Sequence, residues 1–382
     1  MERLKKSTGF HLDTCAICGI FSNIHALVVR PSTPNQDVTV TISDIAKEAG
    51  VAHTTVSRVL NGRGTNTYPK AARRAERIRQ LAHEMGYRPN ASARATRTGR
   101  FGNLALLVTT DRHRSTIHPT LLGGISRRLS ELDLHLSFAQ YATEQLLEDA
   151  SPPKILREWM ADGLLINYTH GVPNRILSMV ENNEFPAVWV NNRRSHNCVH
   201  IDETESARRL TERLLESGCR HVVYTDLRHP RSVPHDQLHH SVEERERGYL
   251  QAMEQAGLEP EVIRSDHKLA PADRPACFEH LGDAARDGRV GILAYSPGDL
   301  DNVYVASVRG GWSVMITAGT FSATPHALYD VRVFTAKLPF DVVGARSVDV
   351  LLDIIEDRRR KLPPIAVVPQ VLDSQDPSIW SP

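Results

Sequence analysis

The sequence predicts a small all-α module followed by a larger α/β unit of two lobes with doubly wound parallel sheets. Three observations carry this reading. A dense helical pattern runs from Thr41 to about Gly86, and from Asn103 onward short apolar runs alternate with amphipathic segments. Charge divides along the same line: Thr41 to Arg100 holds twelve Lys/Arg against four Asp/Glu, whereas residues 101–382 carry about −8. The net charge of +1 conceals this split, and 382 residues are too many for one ordinary core.

The helical part reads as three helices. Thr41 with Asp44 three residues on forms a capping box, and Ile42, Ile45, Ala46 and Ala49 give the first helix one apolar face. Gly50 stops it. The pattern restarts over Thr54 to Leu60 with Val56, Val59 and Leu60 apolar, and Asn61-Gly62-Arg63-Gly64 reads as a loop. A third helix, about Lys70 to Met85, turns Ala75, Ile78, Leu81, Ala82 and Met85 inward and Arg73, Arg74, Arg77 and Arg79 largely outward. The segment Asn90 to Thr98 has too little apolar surface to hold a helix alone and is expected to fold on a partner.

Beyond Asn103 the candidate strands are Leu104–Val108, Leu134–Ala139, Gly163–Asn167, Ala187–Val190, His221–Thr225, Gly291–Ala294 and Val314–Thr317. Helical stretches such as Leu121 to Leu132, Glu203 to Ser217 and Val242 to Ala256 lie between them. Alternation of this kind predicts βαβ units, with a cleft at the strand C-termini. The expected organisation is a mobile extension over 1–40, a helix-turn-helix over 41–88, a linker over 89–100 and a two-lobed unit over 101–382.

Several function classes are excluded. The five cysteines Cys15, Cys18, Cys198, Cys219 and Cys277 are too scattered for a disulfide framework and suit a reducing cytosol. Cys15 and Cys18 form a CxxC, but His11 and His25 are poor further ligands, so no metal is expected. His229, His235, His239 and His240 share a stretch with Pro230 and Pro234 and are expected in solvent. There is no run of eighteen apolar residues, because Ser22, Asn23 and His25 break Cys15 to Val29, and no signal-peptide cleavage pattern. No Walker loop, Gly-x-Ser-x-Gly elbow, HExxH or dinucleotide fingerprint occurs, so neither catalytic residues nor a cofactor are expected.

The helix, Gly-containing turn and second helix of Thr41 to Gly62 have helix-turn-helix spacing, which lays the second helix in the major groove of DNA. His53, Thr54 and Thr55 stand at that helix's start, and Arg58 lies four residues beyond Thr54 on the same face. Here the chain closely resembles the lactose-repressor (LacI/GalR) family, through the Gly-Val turn and Thr55-Val-Ser-Arg-Val-Leu-Asn61, then Gly86-Tyr-Arg-Pro-Asn90, Ala93-Arg94 and Arg97-Thr98-Gly99-Arg100. The resemblance implies a sequence-specific transcription regulator, more often a repressor. Such a protein is cytoplasmic, bound as a homodimer to a pseudo-palindromic operator through its helix-turn-helix, and modulated by a small-molecule effector in a periplasmic-binding-protein-like domain. It implies base contacts from His53, Thr54 and Arg58, and phosphate contacts from Ser43, Thr55, Ser57 and Asn61. It also implies a hinge over Asn90, Ala93, Arg94, Thr96 and Arg97 that enters the minor groove.

Two positions depart from the family. Ala52 replaces the usual serine N-cap of the recognition helix, and Thr96 replaces the leucine that family hinges wedge into the central base step. In the α/β unit the resemblance rests on Phe185-Pro-Ala-Val188 and Val199-His-Ile-Asp202. It places Arg245 where relatives bond the effector, with Asn191 as a second pocket residue and Asp111, Ile117 and His118 as weaker ones. The family's Asn-Asp pair falls at about Ser296-Pro297, with Asp299 the nearby carboxylate, and its later acidic pair falls at Ala318 to Phe321, where there is no acid. This departure leaves the effector open between a sugar-like molecule and another small molecule. The competing reading is a two-lobed small-molecule-binding protein whose DNA binding is degenerate or needs a co-regulator.

Overall fold

The computed structural model describes residues 40–61, 68–88, 99–111, 114–115, 117–142, 161–182 and 185–380. The expected extension over 1–40 and the hinge positions Asn90, Ala93, Arg94, Thr96 and Arg97 lie outside the described residues, apart from Val40. Two compact units divide after Asn90.

In the first unit α1 (Ile42–Ala49), α2 (His53–Leu60) and α3 (Pro69–Glu84) enclose one small core. Ile45, Ala46, Val56, Ile78 and Ala82 are its buried centre, ringed by Val51, Val59, Leu60, Leu81 and Met85. The capping box at Thr41 forms: the Asp44 amide donates to Thr41 Oγ1 and the Thr41 amide donates to the Asp44 carboxylate at 2.8 Å. These bonds from Thr41 also hold the Asp44 carboxyl below its ordinary pKa. Gly50 ends α1 at φ 62°, a left-handed conformation that costs glycine little and turns the chain directly into α2. Pro69 starts α3 at a position where its missing N–H has no intrahelical partner to lose.

The second unit has two six-stranded sheets. The first contains β1 (Asn103–Thr109), β2 (His135–Tyr141), β3 (Gly163–Ile166), β4 (Ala187–Val190), β5 (Cys198–Ile201) and β11 (Ile365–Val367), in the order β11-β5-β4-β3-β1-β2 and parallel throughout. The second contains β6 (His221–Thr225), β7 (Glu261–Ile263), β8 (Val290–Ala294), β9 (Ile316–Ser322), β10 (Arg332–Lys337) and β12 (Gln370–Asp373). Its order is β12-β10-β9-β8-β6-β7, with β12 alone antiparallel.

Helices α4 (Pro119–Glu131) and α10 (Phe340–Glu356) share a core with one face of the first sheet, and α5 (Asn174–Glu181) with the other. The second sheet is covered by α6 (Glu203–Glu216) and α7 (Ser241–Ala256) on one side, and by α8 (Leu281–Asp287) and α9 (Pro297–Gly310) on the other. The chain passes between lobes after β5, after β10 and between β11 and β12. This gives two parallel-dominated α/β lobes, as the alternation predicts.

The expected strand list is corrected in places. The second strand begins at His135, and the ninth runs Ile316–Ser322 because Val314 belongs to a short 3-10 turn at Ser313–Met315. Strands β7, β10, β11 and β12 were not among the expected strands, and β5, Cys198–Ile201, entered only through the family resemblance at Val199 to Asp202. Strands β7 and β11 are only three residues long, β12 has four, and β10 opens and closes on charged residues.

Candidate nucleic-acid interface and interlobe site

In the first unit α2 divides cleanly into two faces. Val56 is completely buried, whereas His53, Thr54 and Arg58 are exposed, with Thr54 and Arg58 four residues apart on the side opposite Val56. The helix contains no acidic residue, and its N-terminus has no side-chain cap, so its first amides point outward with their partial positive charge. Asn61 Nδ2 donates to the Ser57 carbonyl at 2.6 Å and to Ser57 Oγ at 3.2 Å, closing the last turn. Of the expected phosphate-contacting residues, Ser43 and Asn61 are exposed and Thr55 and Ser57 are half-buried. Exposed Arg73, Arg74, Arg77 and Arg79 follow on α3, where Arg79 pairs with Glu76 at 3.1 Å.

The second unit concentrates its buried polar groups where α6 and α7 begin. These helices pack closely because α7 carries Gly248: a Cβ there would lie 2.1 Å from the Thr204 carbonyl oxygen. One turn earlier, Arg245 meets Glu203. Its Nε and Nη2 donate to the two carboxylate oxygens at 2.7 and 3.0 Å, and Nη1 donates to the Tyr295 carbonyl at 2.8 Å. The guanidinium lies 4.0 Å from the Phe321 ring centre and 4.6 Å from that of Tyr295. Burial works against the charge of Arg245, but Glu203 outweighs it and holds the guanidinium protonated.

Around this pair lie Tyr295, bonded through its hydroxyl to Ser241 Oγ at 2.8 Å, and His229, edge-on to Tyr295 at 4.8 Å. Asp226 is fully buried and accepts from the Arg228 and His229 amides and from His229 Nδ1. Asp299, 2% exposed, accepts from Ser296 Oγ at 2.7 Å and from the Leu227 amide at 3.3 Å. Burial pushes the Asp299 carboxyl above the usual carboxylate range, with Asp226 adding to the effect.

The lobes meet through polar contacts. His239 Nε2 donates to the Asn191 carbonyl at 2.8 Å, and its Nδ1 accepts from the Ser241 amide at 3.3 Å. Burial pushes the His239 imidazole down to about 4. His240 packs 4.0 Å from His239 and edge-on to His200 at 5.6 Å, and its two ring nitrogens are shut from solvent with no hydrogen-bond partner. Burial, His239 and His200 together depress its pKa strongly. Arg193 reaches across to the buried carboxylate of Glu244. Asn191 holds a left-handed conformation, φ 55°, which asparagine tolerates better than most residues.

The structure thus connects two of the expected pocket residues, since Asn191 bonds His239 and Ser241 opens the helix that carries Arg245. Asp299 belongs to the same lobe, beside Asp226. The other three contact the first lobe: Asp111 pairs with Arg114 at 3.6 Å, Ile117 packs on the core, and His118 caps α4 and stacks on Phe340 at 5.1 Å. The expectation of a solvated histidine run is corrected. Only His235 is exposed, because the loop folds back so that His229 meets Asp226 while His239 and His240 enter the lobe junction. Sequence reading missed Glu203, Asp226, Tyr295 and Phe321. Asp226 did carry a signal, as an acid at the carboxyl end of an apolar strand. Among the described residues no group of three or more His, Cys, Asp or Glu side chains could hold a metal ion, and no helix is long and apolar enough to cross a membrane.

Residues 41–90 match the family described as bacterial regulatory proteins, lacI family. Residues 103–280 match periplasmic binding proteins and sugar binding domain of LacI family, and the two matches together cover more than half of the chain. The chain is 25% identical over 190 residues to the HTH-type transcriptional regulator MalR of Streptococcus pneumoniae, covering 48% of this chain and 56% of that protein. It is 28% identical over 256 residues to the HTH-type transcriptional regulator CelR of Thermobifida fusca, covering 65% and 71%. The chain therefore spans only 56–65% of the first curated relatives it matches. Among solved structures, a lac repressor dimer bound to operator and the anti-inducer ONPF aligns with TM-score 0.62 and 17% identity, over 87% of this chain and 98% of that one. A CelR–cellobiose complex aligns with TM-score 0.54 and 21% identity over the same shares. At these identities the structural likeness concerns the fold.

Proposed function

Because the chain belongs to the LacI family of bacterial regulatory proteins, we propose that it is a sequence-specific DNA-binding transcription regulator, acting as a repressor and modulated by a small-molecule effector. One observation carries the reading: α2 buries Val56 and turns His53, Thr54 and Arg58 outward together, on an uncapped helix free of acids. A guanidinium can donate to O6 and N7 of one guanine, so Arg58 supplies the most discriminating contact, with His53 and Thr54 reading neighbouring bases. Ser43, Thr55, Ser57 and Asn61 hold phosphates, and Asn90, Ala93, Arg94, Thr96 and Arg97 enter the minor groove. The protein acts in the cytoplasm, without catalytic activity.

One helix-turn-helix reads only a few base pairs, so useful specificity calls for a homodimer on a pseudo-palindrome. Supporting this, α9 and its surroundings expose Val305, Val308, Val314 and Tyr329, with Tyr329 held against the helix by stacking on Tyr304 at 4.9 Å. The effector site is the region of Arg245, Tyr295, Asp299 and Asn191, with Asp111, Ile117 and His118 on its first-lobe side. Since Glu203 already neutralises Arg245, Phe321 lies against its guanidinium, and the stretch from about Ala318 to Phe321 that matches the family's acidic element has no acid, the site favours an uncharged ligand with aromatic or apolar surface over a sugar or a carboxylate.

The test is fluorescence anisotropy of the full chain on fragments of its own upstream region, in a salt series, beside Arg58→Ala. Tight, salt-dependent binding to one palindrome, weakened in the variant, is expected. Equal binding to all fragments by both proteins would overturn the reading.

A further inference from the structure

The first lobe holds a cavity of about 560 Å³ that Arg245 does not line. It is lined by Leu177, Val180 and Glu181 of α5, by Trp189 of β4, by residues 193–196 of the following loop, and by Pro364 just before β11. Its volume suits a small organic molecule. The loop that forms it is fixed by short-range bonds. The Arg194 amide donates to Cys198 Sγ and that thiol donates back to the Arg194 carbonyl, both at 3.3 Å. The Asn197 amide donates to the Leu362 carbonyl and the Leu362 amide donates to Asn197 Oδ1, both at 2.8 Å.

The cavity presents an unusual cation. The Arg194 guanidinium lies 4.8 Å from the Trp189 ring centre, and its Nε is buried without any hydrogen-bond partner. Among the described residues no carboxylate comes within ion-pair distance of it. Burial accordingly lowers its pKa, with Cys198 and Glu181 only partly opposing this. Arg194 is half-buried, so its guanidinium is partly withdrawn from water and its Nε has no acceptor, which an anion would supply. The neighbouring Arg193 differs, since it is already joined to Glu244. Glu181 lines the cavity but is exposed at the end of α5 and does not bond Arg194.

We propose that this cavity binds a small organic monoanion, a carboxylate with a flat apolar body. Its carboxylate accepts from Arg194, and its body lies along Trp189, Leu177, Val180 and Pro364. None of the residues proposed for the effector site lines this cavity. Glu181 at the rim repels such a ligand and sets a ceiling on its affinity.

Isothermal titration calorimetry of the full chain with benzoate, and with benzamide as its uncharged counterpart, tests the proposal. Benzoate is expected to bind at least tenfold tighter than benzamide. Arg194→Gln should remove that preference, and Glu181→Gln should strengthen benzoate binding several-fold. The second variant alters only an exposed side chain, so it remains decisive if Arg194→Gln folds poorly. Equal affinity for the two ligands, or a benzoate affinity unmoved by Glu181→Gln, would overturn the assignment. Benzoate binding retained in a folded Arg194→Gln protein would place the anion elsewhere and overturn it too.

Discussion

Glu203 and Arg245 form a two-bond ion pair, at 2.7 and 3.0 Å, between the start of α6 and the second turn of α7 in the interior of the second lobe. Both side chains are almost wholly buried. The pair's net contribution to stability is small, because desolvating two charges offsets their attraction, but removing one partner strands the other. Glu203→Gln is therefore expected to destabilise the α/β unit by about 3–5 kcal/mol. The double variant Glu203→Gln/Arg245→Met should recover much of that loss. Urea unfolding of the three proteins checks this, and additive losses in the double variant would refute the coupling.

On α2 the expected cost is local to DNA. Arg58→Ala should weaken the preferred operator by about 1–3 kcal/mol and relax discrimination at one base pair, while leaving the helical module folded. Exposed Arg58 has no part in the Val56 core, so circular dichroism should be unchanged. Competition binding against operators altered one base pair at a time separates this outcome from a uniform loss, which would mark Arg58 as a phosphate contact.

The helical module was legible because its signals are local: the Thr41–Asp44 capping box, Gly50 and the spacing of Ile45, Val56 and Ile78 all act within a few residues. Strands such as β3 and β8 were legible as apolar runs because both of their faces are covered. The short or charge-flanked strands β7, β10, β11 and β12 offer no such run, and the four-residue β5 was legible only through its resemblance to the family. In the candidate site, Arg245, Asn191 and Asp299 could be named singly, but Glu203 could not, because its meeting with Arg245 depends on Gly248 letting two helices touch. His239 and His240 misled in the opposite sense. Flanking prolines suggested solvent, and only the tertiary placement of Asn191 and His200 buries their rings.

Exposed apolar side chains on α9 carry the prediction about assembly. Val308 is 52% and Tyr329 85% exposed, which costs solubility in a monomer unless the patch is covered. Val308→Glu and Tyr329→Glu should each shift the protein toward monomer in sedimentation velocity and weaken operator binding at nanomolar protein. A variant that remains fully dimeric would place the interface on another surface.

At position 96 the sequence has threonine where relatives of this family carry a wedging leucine. A smaller, hydroxyl-bearing side chain unstacks a base step less effectively, so the protein should bend its operator less than leucine-bearing relatives. Thr96→Leu is expected to increase the bend angle in circular-permutation gel mobility assays. An unchanged angle would remove Thr96 from the account of the hinge.

Acid should loosen the lobe junction through His239. Its folded pKa is pushed to about 4, below the ordinary 6.5, by burial, with Arg245 and His170 adding to the effect. The Asn191 carbonyl bond and the Glu203 carboxylate oppose that shift without reversing it. A depressed pKa means that the folded state binds the proton less readily than the unfolded chain does. The stabilisation is thus fully present above pH 6.5 and is lost as pH falls through about 4. Glutamine at position 239 can still donate to the Asn191 carbonyl but does not titrate. The urea midpoint of the native protein should fall more steeply than that of His239→Gln between pH 6.5 and 4.5, while carboxylates common to both cancel in the comparison. Parallel curves for the two proteins would show that His239 is not the group through which acid acts.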